Sequence, residues 1–311
     1  MRGAWVVTKT FLIASVVSCA FLACGSAVRA QSIEPRSYSN AQVGVNFLIG
    51  GYAYTRGGIS FDTSVPVTDP KLATSSAVVG YARALDLWGT SGKVDVIVPY
   101  TWLSGSATYQ GEPVQREVNG FGDPLVRLSV NLYGAPALTL PEFRSYEQDL
   151  IVGASLQVSV PAGQYDDTKV VNLGTHRWFF KPELGVSKAL GPWTLEFQAG
   201  ATLFTTNNDF FNGNRRTQDP LYSLQAHAIY NFRSGIWGSA DVTYFAGGRT
   251  TLNGVLQSDL QQNWRIGGTL AFPVDVRDSI KLYASRGVSA RTGNSFDLLG
   301  IAWQYRWGGG V

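Results

Sequence analysis

Ten ionisable residues stand at the polar positions of alternating apolar/polar stretches: Asp95, Asp149, Glu183, Glu196 and Asp241, and against them Arg127, Lys181, Arg265, Lys281 and Arg306. Acids and bases brought into one narrow polar space have two uses. They can pair and stiffen a wall, because an unpaired buried charge is expensive. They can also form a mixed-charge constriction that selects solutes. The two uses are compatible. His227 stands at a polar position of the same kind, whereas His176 lies in a loop near Asp166 and Asp167. A hydrolase needs a nucleophile within reach of a base, and the sequence offers no compact Ser/His constellation. The reading therefore assigns no catalytic, cofactor-binding or metal-ligating residue and expects no cofactor. A polar stretch, Thr205–Pro220, carries Phe210 and Phe211 together with Arg215 and Arg216. It is either a solvated outer loop or a mouth loop whose phenylalanines touch an apolar solute.

What must position these residues is a set of strands. Strict alternation of apolar and polar residues is the period of a β-strand with one wet and one apolar face. It recurs over about 41–53, 77–88, 93–103, 124–133, 149–160, 177–188, 193–204, 221–232, 236–246, 263–274, 279–286 and 297–307. In the fourth stretch Val126, Leu128, Val130 and Leu132 oppose Arg127, Ser129 and Asn131. Segments of roughly ten residues with this pattern, joined by turn residues, are the signature of a transmembrane β-barrel. The connections also sort by parity. Short, turn-rich links such as Gly89–Gly92, Ala189–Pro192 and Asp275–Asp278 alternate with long ones at about 54–76, 104–121, 161–176, 205–220 and 247–262. The link 134–147 breaks the rule, being long on the short side. Aromatics gather at strand ends as two expected girdles, for which amphipathic rings are suited. Trp88, Tyr133, Trp193, Trp237, Phe272 and Trp307 fall at one edge, and Tyr52, Trp102, Trp178, Phe204, Tyr222, Tyr244 and Trp264 at the other. A secreted β-sandwich also alternates, but it has no reason to place aromatics at both ends of its strands. The expected fold is all-β: an antiparallel transmembrane barrel of about 12 strands.

The first thirty residues read as a cleaved signal peptide, with Arg2 and Lys9 followed by a short apolar run from Phe11 to Ala23. Cleavage after Ala30 is expected. A lipoprotein-like box at Leu22-Ala23-Cys24-Gly25 is the rival, with Phe21 a poor residue ahead of it. Removing Arg2, Lys9 and Arg29 leaves 22 bases against 22 acids. The basic balance therefore belongs to the signal and gives no case for nucleic-acid binding. Both cysteines, Cys19 and Cys24, lie in the same segment, so the mature chain would hold no disulfide. The expected organisation is signal 1–30, N-terminal lead-in 31–40, barrel 41–307 and C-terminal tail 308–311.

Several motifs carry a family resemblance. They are Gly120-Phe121-Gly122-Asp123-Pro124 with Arg127, Pro136-Ala137-Leu138, Lys181-Pro182-Glu183-Leu184-Gly185, Arg216-Thr217-Gln218-Asp219-Pro220 and Gly247-Gly248-Arg249-Thr250-Thr251. With Leu299-Gly300 and Trp303 to Trp307 they cover nearly the whole mature chain, which resembles the bacterial outer-membrane transporter family named for the meta-pathway of phenol degradation. The resemblance implies location in the bacterial outer membrane and a channel-like protein linked with aromatic catabolism; it implies no catalytic residue. The expected function is passive passage of small solutes, aromatic compounds among them. The alternatives are a closed structural or adhesive barrel and, behind it, a barrel-wall hydrolase. Expected partners are outer-membrane lipid, a small-molecule solute and the barrel-assembly machinery. That machinery would read Gly300, Trp303, Tyr305 and Trp307 ahead of the unusual tail Gly308-Gly309-Gly310-Val311.

Overall fold

A computed structural model describes residues 33–58, 67–109, 112–291 and 295–311. The segment expected to be a signal peptide, with both cysteines, lies outside these residues. Twelve strands form the wall: β1 (Val45–Gly58), β2 (Val67–Leu87), β3 (Thr90–Tyr109), β5 (Leu125–Tyr133), β6 (Leu150–Ser159), β7 (Phe179–Leu190), β8 (Trp193–Phe204), β11 (Leu221–Asn231), β12 (Trp237–Gly247), β15 (Gln261–Pro273), β16 (Asp278–Ala290) and β17 (Ser295–Gly308). Each wall strand pairs antiparallel with its neighbours, and the pairing of β1 with β17 closes the ring. Closure leaves no open edge, which is what a lipid solvent demands of a sheet. Four further short strands, β9 (Asn207–Phe210), β10 (Asn214–Gln218), β13 (Thr250–Leu252) and β14 (Val255–Leu256), build a small sheet in the long loops, and β4 (Glu112–Phe121) pairs with the outer part of β3.

Alternation decides which side chains meet lipid. On β5, Val126, Leu128 and Leu132 are exposed on the outside while Arg127, Ser129 and Asn131 are buried inside. The same holds for β7, where Phe180, Leu184 and Val186 face out and Lys181, Glu183 and Ser187 face in. β1 is different, because the apolar face of the sequence pattern, Val45, Phe47 and Ile49, points inward and Leu48, Tyr52 and Tyr54 point outward. Both faces of this strand carry apolar residues, so alternation alone has no sign there. The inner face is decided by packing against Ala41, Ala82, Ala84 and Ala302.

Two girdle assignments are corrected. Trp237 is 1% exposed and points into the barrel, where the Arg36 guanidinium lies 4.7 Å from its ring centre. Phe204 packs inward on Phe179 and lies under Arg177. Both sit at strand ends, where an inward aromatic and a girdle aromatic share one sequence signature. The expected loops 54–76 and 104–121 are also corrected, since most of their described residues extend β1, β2, β3 and β4. The register runs from Gly57↔Leu72 and Val67↔Tyr109 to Tyr109↔Glu112. Above the lipid band a hairpin needs only backbone pairing, so the Thr/Ser/Gly-rich sequence hides it.

The irregular link 134–147 closes the periplasmic side. It carries a one-turn helix, α1 (Leu140–Phe143), started by a capping box in which Thr139 and Glu142 exchange hydrogen bonds. The Val43 amide donates to Leu138 O at 2.8 Å, and Asn40 Nδ2 donates to Pro136 O at 3.1 Å. The tail returns here as well. Gly308, Gly309 and Gly310 all have positive φ, and this lets the chain fold back beneath Gly44 and Val45 towards Leu140. Among the described residues no helix is long and apolar enough to cross a membrane, so any crossing is made by strands.

Candidate functional site

The two halves of the lumen are filled by different segments of the chain. In the periplasmic half the N-terminal segment 33–43, which includes most of the expected lead-in, runs up inside the barrel. Glu34 is 1% exposed and pairs with Arg127, which also donates from Nε to Asp95 Oδ2 at 3.1 Å. The Glu34 backbone is held too: Gln198 Nε2 donates to its carbonyl at 3.0 Å, and its amide donates to Gln225 Oε1 at 3.3 Å. The Arg36 amide donates to Glu196 Oε2 at 2.6 Å, and Ser187 Oγ donates to Glu196 Oε1 at 3.0 Å. Tyr38 reaches Ser155 Oγ at 3.3 Å and Glu183 at 3.4 Å, and Lys181 Nζ stands 2.9 Å from Glu183 Oε2. Charges taken out of water in this way must be paired and hydrogen-bonded to be tolerated.

Two glycines make the seat. Gly153 and Gly185 are register partners on β6 and β7, and the Tyr38 ring lies over both. A Cβ at Gly185 would stand 2.0 Å from Tyr38 Cε2, and one at Gly153 would stand 2.2 Å from Tyr38 Cδ1. At Gly267 on β15 a Cβ would come 2.6 Å from the Ile33 side chain. A side chain at Gly153 or Gly185 would force the Tyr38 ring to shift.

The outer half holds an apolar cluster among polar wall residues. Loop 160–178 folds in and places Leu173, with no exposed surface, against Leu72, Ile97, Leu103, Phe179 and Phe296. Asp123, in the bend after β4, ties both ends of this loop. Its Oδ1 accepts from the Gly163 amide at 2.9 Å, and its Oδ2 accepts from the Thr175 amide at 2.8 Å and hydroxyl at 2.7 Å. Further out, the Thr168 hydroxyl and then its amide donate to Asp166 and hold that carboxyl below the ordinary carboxylate range.

Of the residues singled out in sequence, Asp95, Arg127, Lys181, Glu183, Glu196, His227 and Asp241 are buried in the polar half. Arg265 is buried in the outer half, its guanidinium 3.6 Å from the Phe296 ring centre and 2.7 Å from Ser285 Oγ. Lys281 lies 5.9 Å from the Tyr283 ring on β16. Arg306 lies at the periplasmic end, where Nε donates to Val276 O at 2.7 Å. Asp149 is exposed on the rim, paired with Lys188, and does not enter the lumen. In the mouth loop Phe210 is buried under Arg216, at 5.2 Å, whereas Phe211 is half-buried and Arg215 exposed. Phe211 instead lines an apolar slot of about 240 Å³ with Leu72, Ala107, Val114 and Val171, beside Arg116 and Lys169.

His227 Nδ1 donates to Asp241 Oδ1 at 2.8 Å, and Ser239 Oγ donates to Asp241 Oδ2 at 3.0 Å. A Ser–His–Asp relay needs a hydroxyl on the other imidazole nitrogen. Among the described residues His227 Nε2 has no hydrogen-bond partner, so only the His227–Asp241–Ser239 contacts are formed there. Nor do three His, Cys, Asp or Glu side chains gather as metal ligands among those residues.

Sequence reasoning missed Glu34, Tyr38, Gly153 and Leu173, and it singled out Asp123 and Gly185 only as members of family motifs, without a role. Only the paired glycines, standing at inward positions of strands rich in branched residues, carried a signal, since glycine inside a strand marks close approach by another group.

The chain resembles known proteins in both sequence and fold. A family model described as "Putative MetA-pathway of phenol degradation" matches residues 62–305. No curated protein matches. Among solved structures, an outer-membrane channel from Pseudomonas putida F1 is similar with a TM-score of 0.75 at 19% identity, covering 89% of this chain and 100% of that one. The β domain of the Bordetella autotransporter BrkA follows at a TM-score of 0.48 and 11% identity, covering 86% of this chain and 100% of that one.

Proposed function

The chain belongs to the MetA-pathway of phenol degradation family, and from that membership and the lumen geometry we propose that it is an outer-membrane channel passing small solutes, aromatic compounds among them, by diffusion. The observation that carries the reading is the inversion of the barrel: an apolar outer face around an interior lined by paired charges. A wall of that kind serves a protein dissolved in lipid that lets polar matter through. The apolar slot beside Phe211, flanked by Arg116 and Lys169, suits the entry of a planar ring carrying an anionic group. The protein supplies shape and electrostatics and performs no bond-making chemistry. The inward ionisable residues Asp95, Arg127, Lys181, Glu183, Glu196, His227, Asp241 and Arg265 act as the electrostatic lining, and the mouth loop acts through Phe211.

In this reading the segment 33–43 is a displaceable filler. Its contacts with the wall are largely polar, and water can replace such contacts at small net cost, whereas an apolar plug would be held by its full burial. The filled periplasmic half also favours a second reading, a closed structural barrel. Solute entry into liposomes separates the two, comparing phenol-sized aromatic acids with sugars of similar size. Wild-type entry is expected to favour the aromatic acids. Gly185→Val, which drives Tyr38 from its seat, is expected to raise the entry rate of both solutes. No entry in either protein, with the barrel folded, overturns the channel reading in favour of the closed one.

A further inference from the structure

The outer surface holds a groove that the passage of solutes does not use. It lies over the outer ends of β15, β16, β17 and β1, about 540 Å³ in volume, with Tyr54, Ile266 and Leu299 among its walls. One cross-strand row of charges crosses it: Arg286 pairs in register with Asp297, and Asp297 with Arg56. Arg286 Nε lies 3.2 Å from Asp297 Oδ1, and both side chains are mostly exposed. Asp297 is thus already engaged. Arg56 is exposed and takes no ion-pair partner among the described residues, so the row carries one net positive charge. Apolar residues flank the row on the same outward face, Tyr54 and Leu299 below it and Val288, 60% exposed, beyond it.

A charge facing acyl chains near the midplane is expensive, and one near the interface is tolerated. An arginine beside an apolar groove at that depth fits one kind of neighbour, an amphiphile with an anionic head. Guanidinium suits phosphate in particular, because its planar fork matches phosphate oxygens two at a time. We propose that this groove is a binding site for a phosphorylated lipid of the outer leaflet, its phosphate on Arg56 and an acyl chain against Tyr54, Ile266 and Leu299. The site rests on the reading of the chain as an outer-membrane barrel but not on its conducting solutes.

The test is native mass spectrometry of the refolded full-length protein in detergent, titrated with lipid A, with phosphatidylcholine, and with lipid A in the presence of inorganic phosphate. Arg83→Gln is the control, an exposed outward arginine near the periplasmic end of β2. Wild type and Arg83→Gln are expected to retain lipid A and not phosphatidylcholine. Arg56→Gln is expected to weaken retention about fivefold, the scale set by one basic residue at an anionic surface. Inorganic phosphate is expected not to displace the lipid, because it lacks the chain. Equal retention by Arg56→Gln and wild type, equal binding of phosphatidylcholine, or displacement by free phosphate would each overturn the site. Liposome entry measured on the same preparations keeps the two readings apart. Loss of the lipid site with entry intact removes this inference alone, and loss of entry with lipid retained removes only the channel reading.

Discussion

The two halves of the lumen are filled by opposite physics. In the periplasmic half a chain segment is threaded largely among charged and hydrogen-bonding groups, and those polar contacts replace contacts with water. In the outer half a loop lowers Leu173 into an apolar cluster, and the contact removes surface from water altogether. Burial of that kind contributes in proportion to area, roughly 25 cal/mol per Å², whereas a hydrogen bond exchanged with water contributes little net. The polar filling is therefore specific and replaceable, and the apolar filling is a structural seal. A barrel that opens is expected to open first at the polar half.

Arg127→Ala breaks this comparison hardest. It leaves Asp95 and Glu34 facing each other in a buried site without their shared cation. Removing one partner of a buried ion pair costs about 3–5 kcal/mol. The thermal unfolding temperature of the barrel in detergent is expected to fall, with faster solute entry below that temperature. An unchanged unfolding temperature would mean that the Glu34 contacts do not persist in solution.

Leu173→Ala tests the other half and is expected to cost about 2–3 kcal/mol, the low end for a buried leucine because a loop can partly collapse into the gap. The difference lies in the second readout. Entry of sugars is expected to change less than in Arg127→Ala, and a larger change would place the main barrier in the outer half.

The smallest effect is the one of pH. The Asp166 carboxyl is held below its ordinary range by Thr168, chiefly through the hydroxyl. A depressed pKa adds stability that is present above the unfolded-state value and is lost as pH falls through the folded one. Loop 160–178 is thus expected to loosen on acidification below the ordinary carboxylate range, read as faster amide exchange at Thr168. Asp166→Asn is expected to show the faster exchange already at neutral pH and to abolish that pH dependence. The barrel strands are expected not to respond.

Much of the wall was legible in the sequence. The alternation in β5, β7 and β8 set the strands and their inward charges, because lipid outside and polar groups inside impose a period of two with a definite sign. The same rule had no purchase on β1, where both faces are apolar, or on Trp237 and Phe204, whose inward turn comes from the neighbours they meet. The extended β2–β3–β4 hairpins were read as loops because backbone pairing above the lipid imposes no hydropathy pattern. Of the candidate site, the wall's charges were legible and their partners were not. Glu34 and Tyr38 stand in a stretch with no period, and only the folded chain brings them within reach of Arg127 and Glu183.

What the sequence determined by itself is the solvent of each face in strands such as β5, β7 and β8, where polar and apolar residues alternate and each must match a polar interior or lipid. What only the tertiary structure decided is how the interior is filled. Residues far apart in the chain (Glu34 with Arg127, Asp123 with Thr175) meet because the ring closes around them. Contacts of that separation follow from geometry that no local pattern encodes.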